Sequence, residues 1–148
     1  FGTALNRFLI QAVIGEPISV YGKGGQTRGF INIIDMTHCI EIAAENPAER
    51  GEFRVFNQFT ESFSVLELAQ RVKAAGEELG YSPIIQHVEN PRVEQEEHYF
   101  NAVNTSLIDL GLVPTLLTAD VLKDTMKLIE QFKDRVIIEN VAATVKWK

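Results

Sequence analysis

Ile18-Ser19-Val20-Tyr21-Gly22-Lys23-Gly24-Gly25-Gln26-Thr27-Arg28-Gly29 is the stretch on which the fold turns. Ile18 to Tyr21 alternates as a short strand. Gly22 to Thr27 is turn chemistry, and Arg28 to Ile34 alternates again, so the local pattern reads as a hairpin. A phosphate-cradling loop is excluded, because Lys23 is followed by Gly24 and not by Ser or Thr. A dinucleotide fingerprint is excluded as well, since position 27 is Thr and a strand follows where a helix is required. Before this stretch, Leu5, Phe8, Leu9, Ala12 and Val13 lie at helical spacing over residues 3–14, and Gly15-Glu16-Pro17 stops the helix.

Beyond it, Asp35 reads as the N-cap of a helix with Met36, Cys39, Ile40, Ala43 and Ala44 on its apolar face, ended by Asn46-Pro47. Phe53 to Asn57 reads as a strand apolar on both faces, of the kind buried inside a parallel sheet. Ser64 and Glu67 form a capping box, opening a helix with Val65, Leu68, Ala69, Val72 and Leu79 on one stripe. Ile84 to Val88 is a strand, and Asn90-Pro91-Arg92 leads into an acidic loop. A short helix near Ser106–Leu110 and a longer one from Asp120 to about Lys133 precede a tail without period. Strands interleaved with helices, without repeats or a flexible linker, describe an α/β protein with residues 1–148 as a single unit.

The 148 residues allow roughly 68–70% of the extended chain's surface to be buried, enough for a hydrophobic core. Hydrophobic residues at 45% and charged residues at 23% exclude disordered and low-complexity classes. A net charge of −6 argues against duplex nucleic acid, which needs a clustered basic surface. No apolar run reaches the roughly 18–20 residues that span a bilayer. The single Cys39 permits neither an internal disulfide nor a zinc cluster, and reads as a small buried hydrophobe in a protein of a reducing, cytoplasmic compartment. Opening at Phe1, barely one turn before a patterned helix, the chain reads as a piece of something longer.

No catalytic template is filled. His38, His87 and His98 lack metal-ligand spacing, and His38 and Cys39 are adjacent on a helix, so they face apart. Tyr21, Tyr81 and Tyr99 are followed four residues later by Gly25, Ile85 and Val103, so no Tyr-x-x-x-Lys proton relay exists. What remains is recognition chemistry. Arg28 and Arg92 carry planar forks of donors suited to a diphosphate, although either can equally be a surface arginine. Glu94, Glu96 and Glu97 beside Arg92 can accept from ribose or sugar hydroxyls, or simply form a solvated acidic loop.

The strings taken together carry a resemblance. Gly2-Thr3-Ala4-Leu5-Asn6-Arg7-Phe8 and Val20 to Gly29 resemble the later part of extended short-chain dehydrogenases/reductases acting on sugar nucleotides. Gly51 to Glu61, Asn90-Pro91-Arg92-Val93-Glu94, Glu96-Glu97-His98-Tyr99 and Gln131 to Val136 narrow this to the UDP-sulfoquinovose synthase family. The resemblance implies a C-terminal, substrate-binding portion of an incomplete Rossmann-type fold. The N-terminal NAD-binding domain and the Thr, Tyr and Lys catalytic group of that family have no counterpart among these residues.

It further implies a UDP-sugar as ligand. Val20 and Tyr21 would lie along the uracil, Arg28 would reach the ribose or diphosphate, and Arg92 would neutralise the diphosphate. Asn57, Gln58 and Glu94 would face the sugar nucleotide. NAD and sulfite would belong to the intact parent, with no cofactor expected for this chain alone, which would then be inactive. A free-standing, non-catalytic module that binds a nucleotide or a protein is the alternative, and a purely structural piece is a third. Faces left open by a missing amino-terminal part would make the isolated chain a homo-oligomer, through the Phe53–Phe56 strand or through the faces of the Leu5–Val13 and Met36–Ala44 helices.

Overall fold

The computed structural model describes residues 3–90 and 104–141. Thr3 accepts from the Asn6 amide and opens α1 (Ala4–Ile14), which Gly15 closes in the left-handed conformation at φ 81°. The chain continues through β1 (Ile18–Tyr21), β2 (Thr27–Phe30), α2 (Ile33–Glu45), β3 (Glu61–Ser64), α3 (Val65–Glu78), β4 (Ile85–Val88), α4 (Ser106–Asp109) and α5 (Ala119–Glu130). Two single turns of 3-10 helix, Lys133–Arg135 and Ile138–Asn140, follow. Among the described residues no helix is long and apolar enough to cross a membrane.

The chain divides into two compact units. Among the described residues the first comprises 3–27, 64–90 and 118–141, the second 28–63 and 104–117. In the first, β1 and β4 form a parallel pair, with Ile18 opposite Ile85 and Tyr21 opposite Val88. Parallel strands need a long crossover, and everything from Gly22 to Ile84 lies between these two. Helices α1, α3 and α5 pack on one another, and α1 and α3 cover β1. The core they close is Phe8, Leu9, Ala12, Val13, Ile18, Val20, Leu68, Ala69, Val72, Leu122 and Met126, all buried.

In the second unit, β2 pairs with β3, and the rings of Phe30 and Phe63 sit 6.0 Å apart in a tilted contact. A small core of Cys39, Leu107 and Leu112 is flanked by Ile31, Ile42 and Phe56. Cys39 is thus the buried hydrophobe expected, and burial pushes its thiol up, with the Asp35 carboxylate acting in the same direction.

Four local readings are corrected. Strands β1 and β2 belong to different sheets, so residues 22–26 are not a hairpin turn. The second strand stops at Phe30, because Asn32, not Asp35, caps α2 by accepting from the Ile34 amide. The packed face of α2 follows Asp35, Cys39 and Ile42, while Met36 and Ile40 are exposed. Residues 53–57 form no strand: a strand needs a neighbour to complete its ladder, and the described residues supply none there. Phe53 consequently stands 90% exposed.

Candidate functional site

Open α/β sheets bind ligands beyond the carboxyl ends of their strands, so the informative end of the β1–β4 pair is that of Tyr21 and Val88. A cleft of about 270 Å3 lies at the opposite end, lined by Val13, Gly15, Pro17, Tyr81, Pro83 and Ile84. It touches none of the expected site residues.

Gly22 leaves β1 at φ 60°, with its amide donating to the Val88 carbonyl at 2.9 Å. Its own carbonyl lies 2.8 Å from His87 Nδ1. The turn then runs onto the start of α3. The Leu66 amide donates to Gly24 O (2.9 Å), the Val65 amide to Gln26 O (3.1 Å), and the Glu67 amide to Ser64 Oγ (3.1 Å). Helix starts attract anions because their first amides lack acceptors. Here three of those amides are already engaged, so the glycine turn is a helix cap. Those engaged amides are not open to a dinucleotide pyrophosphate.

Behind Tyr21 lies a polar cluster that sequence reasoning missed. Arg7 on α1 is only 7% exposed, and its Nη2 donates to the Ser19 carbonyl at 3.0 Å. The Arg7 guanidinium carbon stands 4.5 Å from the centroid of the Tyr21 ring. Gln11, one turn further along α1, donates through Nε2 to Ser19 Oγ at 2.9 Å, while its Oε1 accepts from the Ser19 amide at 3.1 Å. Burial draws the Arg7 guanidinium below its ordinary value, partly opposed by Tyr21. The signal was present in the sequence: Arg7 and Gln11 are polar residues four apart amid Phe8, Leu9, Ala12 and Val13, and so share a face with the core.

The expected site residues divide between the units. In the first, Val20 is fully buried under the glycine turn, and Tyr21 is half-buried at the strand end. In the second, Arg28 is exposed on β2 and Asn57 is exposed, while Gln58 is half-buried. Gln58 Nε2 donates to the Phe59 carbonyl at 3.0 Å, which also accepts from Asn104 Nδ2 at 2.5 Å. Among the described residues, Gln58 Oε1 and Thr60 Oγ1 are buried without hydrogen-bond partners. Arg92 and Glu94 lie outside the described residues. A second polar contact missed by the sequence reading, Asp35 with Thr115, belongs to this unit and locks α2 to the segment after α4. Thr115 donates to Asp35 through its amide (2.6 Å) and its hydroxyl (2.7 Å).

Solved structures share the fold. The chain is similar in fold to UDP-glucose 4-epimerase with UDP-glucose from Thermotoga maritima, with a TM-score of 0.70 at 18% identity, covering 88% of this chain and 40% of that one. It is similar also to UDP-glucuronic acid 4-epimerase from Bacillus cereus in complex with UDP-glucuronic acid and NAD, with a TM-score of 0.67 at 22% identity and the same coverage. The chain thus shares a mixed α/β fold with part of each of these two structures.

The sequence narrows it. The chain is 54% identical over all its 148 residues to the chloroplastic UDP-sulfoquinovose synthase of Spinacia oleracea. Over 136 residues it is 46% identical to the UDP-sulfoquinovose synthase of Sulfolobus acidocaldarius. It spans 31% and 35% of their lengths, about a third of the curated relatives it matches. No family model matches the chain. By sequence the chain is similar to a part of the UDP-sulfoquinovose synthases, in agreement with the motif resemblance.

Proposed function

We propose that this chain is the sugar-nucleotide-binding portion of an NAD-dependent UDP-sulfoquinovose synthase, with UDP-glucose as its ligand. The observation that carries the reading is the 54% identity extending over every residue of the chain. The fold supports it by setting Val20 and Tyr21 at the carboxyl end of a parallel strand pair. In this reading residues 1–148 act as the C-terminal, substrate-binding part. The uracil lies along Val20 and Tyr21, and Arg28 and Arg92 take the diphosphate and ribose. Asn57, Gln58 and Glu94 face the sugar, where Gln58 Oε1, buried and without a partner among the described residues, is ready to accept from a hydroxyl.

The parent reaction oxidises the sugar at C4, eliminates across C5–C6, adds sulfite and reduces again. NAD supplies the hydride chemistry there, and this chain's residues supply binding and orientation. The chain alone is inactive, and its setting is a reducing, cytosol-like compartment, in keeping with a lone buried thiol.

Calorimetric titration with UDP and uridine tests the reading. Arg28→Ala and Arg92→Ala should each weaken UDP by roughly 1.5–3 kcal/mol as charged hydrogen bonds are lost, and uridine by less. Equal losses for the two ligands would place the arginines away from phosphate. No UDP binding by the unmutated chain would overturn the reading for this chain.

The same reading includes self-association. With no strand at residues 53–57, the α2 face carries it: Ile33, Met36 and Ile40 are 71%, 48% and 61% exposed. Light scattering over a dilution series should show a dimer that Ile40→Lys dissociates. A monomer at high concentration would remove this part of the proposal.

A further inference from the structure

Arg7 is an expensive residue where it stands. A guanidinium 7% exposed loses most of its hydration, and among the described residues it meets no carboxylate. Among the described residues its guanidinium makes one hydrogen bond, from Nη2 to the Ser19 carbonyl, and its buried Nε has no partner. A methionine would fill similar space without that desolvation. What the guanidinium has instead is aromatic surface. Its carbon lies 4.5 Å from the Tyr21 ring centroid and 5.3 Å from that of Phe8. A planar cation over a ring face at this range attracts the ring quadrupole, the more strongly when water is excluded.

The clamp is anchored at both ends. Ser19, whose carbonyl Arg7 holds, is two residues before Tyr21 on the same strand, and Gln11 fixes the Ser19 amide and hydroxyl from the next turn of α1. Helix α1 therefore grips β1 by its backbone at Ser19 and by the ring at Tyr21. We propose that Arg7 is a positioning residue for nucleobase recognition, holding the Tyr21 ring in one orientation from behind so that the strand end presents a preset platform to a planar base. The inference rests on the nucleotide-binding reading above and deepens it. A ring already ordered in the free chain loses little freedom when a base settles against it, which raises affinity without any contact between Arg7 and ligand.

The test is a double-mutant cycle on the whole chain, titrated separately with uridine, UDP and pyrophosphate. Arg7→Met should weaken uridine and UDP by the same factor, roughly 3- to 30-fold for a cation–ring contact, and leave pyrophosphate unchanged. Arg7→Lys, which keeps the charge but not the planar fork, should fall between. In a Tyr21→Leu background Arg7→Met should have no further effect. Circular dichroism and thermal unfolding identify any variant that fails to fold, and Arg7→Lys then carries the cycle. A loss of pyrophosphate binding as large as that of UDP, or an undiminished effect of Arg7→Met without the Tyr21 ring, overturns the proposal. So does absence of uridine binding by the unmutated chain. In that case the Arg7 Nε–H resonance locates the failure. A slowly exchanging signal displaced by the Tyr21 ring current, and restored in Tyr21→Leu, shows the clamp intact and the nucleotide reading at fault. An ordinary, rapidly exchanging signal shows that the clamp itself is absent.

Discussion

Gly24→Ala should cost the first unit about 2–4 kcal/mol, combining a strained left-handed backbone with overpacking in a closed core. Gly24 has φ 76°, which an L side chain rarely adopts. A Cβ placed there would lie 2.7 Å from Val20 Cγ1, 3.0 Å from Leu66 Cβ and 3.1 Å from the Leu66 amide nitrogen. Val20 cannot retreat, since it is fully buried, and Leu66 N is backbone held by the Gly24 carbonyl itself. Gly15→Ala is the matched control. It has a similar φ of 81°, but nothing lies within 4 Å of the added carbon, so only the conformational penalty of about 1 kcal/mol remains. Urea unfolding of both variants separates the terms. Equal losses would mean that Val20 and Leu66 yield, and that the turn is not pressed onto the core.

The same turn shows where reading the sequence succeeds and where it stops. Spacing alone argues against both phosphate-loop readings, because they rest on residue identity at fixed offsets. The hairpin reading failed because local turn chemistry cannot reveal a partner. Strand β1 pairs with β4, 67 residues later by number, and the glycines serve α3 instead of joining β1 to β2. Residues 53–57 failed for the complementary reason: an apolar run predicts a strand only if a neighbour exists to complete its ladder. Helices α1 and α3 were legible nearly to the residue, since Thr3, Gly15 and Ser64 set their own ends through local hydrogen bonds. The start of α2 and the end of α5 each fell about three residues away.

Of the candidate site, only the chemistry was legible. Tyr21, Arg28, Asn57 and Gln58 came from motif resemblance, whereas the Arg7–Ser19–Gln11 cluster depends on α1 and β1 meeting in space. Asp35 is the sharpest case. As a residue near a helix start it was assigned a cap, but Asn32 takes that role. The carboxylate, 1% exposed, is spent on a residue 80 positions away.

That contact gives the second large effect. Asp35→Ala should destabilise the second unit by about 2–4 kcal/mol, because two charge-assisted bonds disappear and the Thr115 amide and hydroxyl lose their acceptors. Asp35→Asn distinguishes hydrogen bonding from charge. The amide oxygen can accept from the Thr115 N–H while its NH2 donates to the Thr115 hydroxyl, which can accept as well as donate. If geometry is what matters, Asn should lose only about 1 kcal/mol. If the negative charge in the first turn of α2 dominates, through its attraction to the helix N-terminus, Asn should lose nearly as much as Ala. Cys39 reports on the same unit locally. It lies one turn after Asp35, against Leu107 and Leu112, and its thiol is held up chiefly by burial. Loosening the segment around Thr115 should admit water to that core, lower the thiol toward its ordinary value and speed its labelling at neutral pH. Asp35→Ala should therefore accelerate Cys39 labelling strongly and Asp35→Asn weakly. Labelling that stays slow in Asp35→Ala, with unfolding unchanged, would show that α2 keeps its place without Thr115.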